Sequence, residues 1–471
     1  MSPVIFRESQ LSEREFFEEY NKHSTGNCWF LLIYILRSFA PLCLAVQVEV
    51  FEYPGSVDIY IDEFSINLNS SHRFANNNST EQGYTRLQSF KREASQKNLV
   101  LRMSVFKSIG LCLGALIGGL FADLYGRRMV SFYSCIVWNI LGWIWIIIHN
   151  KHVLELAFVV AVAFCNIVNV VTFVTFGEIT TKMSRLLVIY TIPYYLLGVL
   201  VLDYTSKAIH VWQYLIGFIA STNCIMIFAC WYTPESARWL INKNKIKEAF
   251  QVLNEISGKL YTLPEQQEEN VKLKKTTITY QMMLFLFTNK LKHFLIICLS
   301  MVIASLNYNF AKLRAVIHYV DTDEFGLLSI GAEAIGYLFI IPVYIFLGKT
   351  HGLFFIYILL SLAAVVALIT HEFGREIYYN TFCILFGTTA VCLNWLIFLD
   401  LFPTFLRATT MGCSFFIFGL AIALSSLLVH KVEEYRECYF YVTFFLTALF
   451  GVTVLALPRS HSQNLPNYKL N

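Results

Sequence analysis

The side chains best placed to do chemistry in this sequence are a few ionisable groups that end, or lie inside, long apolar runs. Asp123, Arg127 and Arg128 close one such run in the stretch Gly119-Leu120-Phe121-Ala122-Asp123-Leu124-Tyr125-Gly126-Arg127-Arg128. Glu178 ends a second run and is followed by Arg185; Asp400 ends a third and is followed, at the same spacing, by Arg407. Arg37, Lys312 and Glu333 stand within apolar sequence, Arg37 one turn before Pro41. A charge at membrane depth costs roughly 2.5 to 3.5 kcal/mol even on the lenient insertion scale, so each must be paired or face a wet cavity. The chemistry predicted is ion pairing and ion binding.

Composition supports a membrane setting. Of 471 residues, 56% are hydrophobic and only 14% charged, which is too much apolar surface for an ordinary soluble protein. The net charge of +4 is small, and the basic residues flank apolar segments, which fits membrane topology and speaks against nucleic-acid binding. The twelve cysteines lie mostly in apolar runs as small hydrophobes, with no spacing that suggests a metal site or a disulfide framework. No phosphate-cradling loop is present, so neither ATP nor another cofactor is expected, and no enzyme activity. The N-terminus is polar up to Asn27 and is read as carrying no cleavable signal.

These charges need helices to position them. A spanning helix takes about 20 mostly apolar residues, and twelve stretches qualify: 29–50, 103–122, 129–148, 153–176, 186–204 and 211–231, then 294–315, 325–347, 353–370, 377–399, 410–429 and 439–457. The expected fold class is an all-α polytopic membrane protein of two six-helix bundles. Residues 1–28 form a cytoplasmic N-terminus, 29–232 the first bundle with an extracellular loop at 52–98, 233–292 a cytoplasmic linker, 293–458 the second bundle and 459–471 a cytoplasmic tail. Glycosylation sequons at Asn69, Asn77 and Asn78 agree with an outer loop. The Lys- and Arg-rich linker agrees with an inner one. There, Thr233 as N-cap and Pro234 at the first helical position predict one new helix, amphipathic through Ile246, Ala249, Phe250, Leu253 and Ile256 and stopped by Gly258.

The two halves repeat. Gly126-Arg127 and Gly348-Lys349, Glu178 and Asp400, and Arg185 and Arg407 share one offset, each pair ending the equivalent span of its half. The second copy is degraded, because Ile345 and Thr350 replace Asp123 and Arg128.

The Gly119 to Arg128 stretch resembles the loop signature of the major facilitator superfamily. Residues 39–43, Pro234-Glu235-Ser236-Ala237-Arg238-Trp239-Leu240 and the stretch from Asp400 to Arg407 resemble the organic cation, anion and carnitine transporter family; the second and third are shared with sugar porters. The resemblance implies a twelve-helix carrier that moves a small organic ion, an organic cation first, by alternating access in the plasma membrane. It implies Gly119, Asp123, Gly126, Arg127 and Arg128 as a gating motif, with Glu178 paired with Arg185, and Asp400 with Arg407, as braces between helices within each half. Arg37, Tyr308, Lys312 and Glu333 are the expected cavity residues, with Tyr34, Tyr194, Tyr195 and Tyr337 available to a bulky cation. A position charged in the family falls on Gly419, and the family's longer, cysteine-bearing outer loop has no counterpart. An anion or zwitterion carrier, a sugar porter and a non-transporting receptor on the same fold remain the alternative readings. The partners expected are a small organic ion and the lipid bilayer, with no nucleic acid.

Overall fold

The structure, a computed structural model, describes residues 9–10, 81–147, 151–179, 197–198, 201, 212–243, 245–257, 261–262, 290–318, 323–370, 376–402, 404–434 and 436–457. Its helices are α1 (Glu81–Tyr125), α2 (Arg127–Ile147), α3 (Lys151–Ile179), α4 (Trp212–Tyr232), α5 (Ala237–Asn242), α6 (Ile246–Ser257), α7 (Lys290–His318), α8 (Asp323–Phe346), α9 (Gly348–Thr370), α10 (Glu376–Leu401), α11 (Arg407–Glu434) and α12 (Arg436–Val454). Two short strands, β1 (Ser9–Gln10) and β2 (Tyr261–Thr262), pair in parallel and tie the start of the chain to the segment after α6. Seven helical segments among the described residues are long and apolar enough to cross a membrane. The expected spans 103–122, 129–148, 153–176 and 211–231, and the six after residue 293, coincide with α1 to α4 and α7 to α12. Span 29–50, nearly all of 186–204 and the three sequon asparagines lie outside the described residues.

α1 lies between the halves, and three faces account for that. Gly110, Gly114 and Gly118, each four residues on from the last, let the backbone of α3 approach so closely that a Cβ at Gly110 would stand 2.6 Å from the Val159 carbonyl oxygen. Small residues at this spacing are what membrane helices use to pack. A second face, Ala115 and Gly119, meets α11, where a Cβ on Gly119 would stand 2.5 Å from the Ala408 carbonyl oxygen. The third face, Leu113, Ile117, Leu120, Phe121 and Leu124, is exposed and suits lipid. α1 therefore joins α3 of its own half to α11 of the other.

The stretch 52–98, expected as an outer loop, is helical from Glu81 onward, where good helix formers such as Glu81, Arg86, Lys91 and Ala94 extend α1 beyond its apolar part. One expectation is corrected here. The single helix expected from Pro234 is instead a pair, α5 and α6. Its cap is Ser236, whose hydroxyl accepts from the Trp239 amide, while the Thr233 hydroxyl donates back to the Ala229 carbonyl and finishes α4.

Candidate functional site

The first half of the site grows from one turn. α1 ends at Tyr125, and Gly126 carries the chain into α2 with φ +108, a left-handed backbone that favours glycine. Space makes the same demand, since a Cβ there would lie 2.5 Å from Glu235 Oε2 and 3.2 Å from the Trp239 ring. Glu235 sits in that gap because its carboxylate accepts from the Arg127 amide (2.8 Å) and the Arg128 amide (3.1 Å), the free donors at the start of α2. A carboxylate at the positive end of a helix contributes about 0.3 to 1 kcal/mol, up to about 2 when partly buried. Arg128 turns outward, donating to the Trp231 carbonyl at 2.8 Å with its guanidinium over the Trp231 ring.

Arg127 turns inward and is fully buried. Its Nη2 donates to Asp123 Oδ1 (2.9 Å), Glu178 Oε1 (3.3 Å) and the Thr404 carbonyl (3.0 Å); its Nη1 donates to the Ala122 carbonyl (3.0 Å). Asp123 is shared between the halves, because its Oδ2 accepts from the amide and the hydroxyl of Thr409, both at 2.8 Å, in the first turn of α11. Glu178 is shared too. Its Oε1 accepts from Arg407 Nη1 at 3.3 Å as well as from Arg127, its Oε2 accepts from Ser236 Oγ at 2.5 Å, and its carbonyl accepts from Arg238 Nε at 2.9 Å. Two carboxylates and two guanidiniums thus alternate across the junction, three from the first half and Arg407 from the second. Their formal charges cancel, which is what lets four ions lie buried together.

The bracing expected within each half runs differently. Arg407 reaches across to Glu178 and donates to the Leu399 and Phe402 carbonyls, both at 3.2 Å. Asp400 forms an ion pair with Lys349. Lys349 and Asp400 are the equivalents of Arg127 and Glu178, so the repeat preserves the pair while the crossing contact belongs to the first copy. Arg185 lies outside the described residues. Sequence reading left Glu235, Ser236, Arg238, Trp239 and Thr409 without roles; Trp239 Nε1 donates to the Asp123 carbonyl at 3.1 Å. The signal was present in the Pro234 to Leu240 stretch, where Glu235 and Trp239 reach the Gly119 to Arg128 motif while Ser236 and Arg238 reach Glu178. Lys243 stacks its ammonium over Trp239, and burial, ahead of the opposing pull of Asp123, holds its pKa below the ordinary lysine value.

The second group of expected residues meets further along the second half. Glu333 on α8 is buried. Its Oε1 accepts from Tyr308 Oη (2.6 Å) on α7 and from Tyr337 Oη (3.2 Å), one turn along α8, and its Oε2 lies 3.7 Å from Lys312 Nζ. Lys312 also stands 5.9 Å from the centre of the Tyr308 ring. From Tyr308 an aromatic path crosses the molecule. Tyr308 stacks on Phe418 at 6.1 Å, Phe418 meets Trp395 at 5.7 Å, Trp395 stacks on Phe415 at 4.7 Å, and both Trp395 and Phe415 meet Phe173 of α3 at 6.1 Å. At the position read as charged in relatives, Gly419, a Cβ would stand 2.8 Å from Cys112 Sγ, so a side chain there would require the cysteine to move. Arg37, Tyr34, Tyr194 and Tyr195 lie outside the described residues.

The chain as a whole is similar to known proteins. The sequence profile of the family described as sugar (and other) transporter matches residues 58–469. The chain is 29% identical over 152 residues to human organic cation/carnitine transporter 2, covering 32% of this chain and 27% of that protein. It is 26% identical over 148 residues to mouse solute carrier family 22 member 4, covering 31% and 27%. These two matches span about a quarter of each relative's length. A longer match, 20% identical over 386 residues, reaches an organic cation transporter-like protein of Drosophila melanogaster and covers 75% of this chain and 66% of that one. Among solved structures, the proton:xylose symporter XylE aligns with a TM-score of 0.61 at 14% identity, covering 90% of this chain and 94% of that one. The human organic anion transporter MFSD10 aligns at 0.60 and 11% identity, covering 90% and 96%.

Proposed function

We propose a function on the premise that this chain belongs to the sugar (and other) transporter family and has the major facilitator fold, twelve spans in two six-helix bundles: it carries a small organic ion with a cationic head group across the membrane. The observation that carries the reading is the Glu333 carboxylate, buried between two tyrosine hydroxyls and opening onto an aromatic path that joins the bundles. Aromatic faces attract a cation by about 0.5 to 2 kcal/mol each, and a carboxylate already hydrogen-bonded is poised to receive one. The names of two relatives, an organic cation/carnitine transporter and an organic cation transporter-like protein, agree with this chemistry.

Transport follows by alternating access. The Asp123, Arg127, Glu178 and Arg407 cluster holds the inner ends of the bundles together, and opening to the inside requires it to part. Both termini and the linker lie inside and the 52–98 loop outside, in the plasma membrane. The pairing of β1 with β2 supports this by setting the N-terminal segment beside the linker.

A second reading has its own observation. Lys312 beside Glu333 presents both charge signs at one place, which suits a zwitterion. Uptake of radiolabelled cations, zwitterions, anions and hexoses into vesicles containing the chain tests the proposal. Saturable uptake confined to compounds with a cationic head is expected; uptake of hexoses or anions alone would refute it. Binding without uptake would move the chain to the receptor class.

A further inference from the structure

The Lys312–Glu333 pair is unequal in a way that bears on selectivity. Glu333 is fixed: its side chain is 4% exposed and two tyrosine hydroxyls hold it at hydrogen-bond distance. Lys312 is less enclosed. Its side chain is 20% exposed and its ammonium stands 3.7 Å from the carboxylate, longer than a charge-assisted hydrogen bond of about 2.7 to 2.9 Å. The same ammonium lies within reach of the Tyr308 ring face. A carboxylate and an aromatic face are the two features that would receive a substrate's cationic head, and Lys312 already touches both.

We propose, resting on the function proposed above, that Lys312 is a tethered occupant of the cation seat and thereby sets selectivity between cations and zwitterions. A simple cation enters only by evicting the ammonium from Glu333 and Tyr308, and on arrival it meets a like charge. A zwitterion with the same cationic head also displaces the ammonium but offers it a new carboxylate, so Lys312 moves and keeps a partner. A four-carbon flexible stem allows that swing, and a lysine head can relocate along apolar surface without leaving polar company.

Choline and glycine betaine share a trimethylammonium head and differ in the carboxylate, which makes them the discriminating probes. The full chain in lipid nanodiscs is titrated with each, as wild type, K312M and K312R. K312M is expected to tighten choline by about tenfold, equivalent to about 1.4 kcal/mol, and to weaken betaine, while K312R keeps the wild-type order. In wild-type protein, choline should speed modification of Lys312 by an amine-directed reagent and betaine should slow it. This second assay needs no variant to fold. If both ligands bind but K312M leaves their ratio unchanged, or neither alters Lys312 reactivity, the tethered-occupant inference is overturned and the cationic-head reading stands. If neither choline nor betaine binds wild type or K312R, the reading and the inference fall together.

Discussion

The two turns Gly126-Arg127 and Gly348-Lys349 stand at equivalent places in the two halves but differ in their surroundings. Both glycines are left-handed, φ +108 and +75, and they are the positive-φ glycines among the described residues. Both following cations pair with the acid that ends an equivalent span, Glu178 or Asp400. There the likeness stops. Gly126 is enclosed by Glu235 and Trp239, whereas a Cβ on Gly348 would meet nothing within 4 Å. Glu178 receives Arg407 from the opposite half, and Asp123 receives Thr409; Ile345, in the place of Asp123, is exposed. Among the described residues the two equivalent turns share the part that forms the fold, while the part that joins the halves belongs to the first.

The contrast between the turns sets an order of effects. Arg407→Ala should be the most damaging, because it removes one of the two guanidiniums that pair with Glu178 and leaves a buried cluster of two carboxylates with Arg127 as its cation; loss of one partner of a buried pair costs about 3 to 5 kcal/mol. Vesicle uptake should fall to background, while Arg407→Lys recovers part of it. Gly126→Ala should come next, combining a disfavoured backbone with a clash against Glu235, and Gly348→Ala should cost only the backbone part, about 1 to 2 kcal/mol. Thermal unfolding of the two variants in nanodiscs checks the order, and equal losses would erase the contrast. Glu235→Gln should be milder, about 1 kcal/mol, since the amide oxygen still accepts from α2 but the charge at the helix end is gone. Asp123→Asn keeps one acceptor for Thr409 and should slow uptake more than it weakens ligand binding, which separate measurements of turnover and affinity would reveal. Smallest of all should be the joint replacement of Lys349 and Asp400 by Met and Leu, because removing both members of a buried pair is often near neutral.

Much of this was legible in the sequence, for reasons that mark where legibility stops. Apolar runs predict spans because lipid demands about 20 apolar residues per crossing, and α2 to α4 and α7 to α12 fall on them. The offset shared by Gly126 and Gly348 predicted equivalent turns. An offset states which residues are equivalent, however, and not which touch. Glu178 and Arg185, like Asp400 and Arg407, looked like partners within a half, yet Arg407 finds Glu178 across the junction because α1 brings the two halves together at Gly119 and Ala408. Glu235 escaped notice for a related reason. Its neighbour Pro234 advertised a helix start in its own segment, while its carboxylate serves the start of α2, far away in sequence.

We propose that the crossing contacts of the first turn hold these ends of the two halves together. Spin labels at the exposed Tyr125 and Phe346, which end α1 and α8, report that separation directly by pulsed electron resonance. Without ligand, wild-type protein in nanodiscs should show a predominant short distance, and Arg407→Ala should add a distinctly longer population. An unchanged distance distribution in Arg407→Ala, with the protein folded, would contradict the claim.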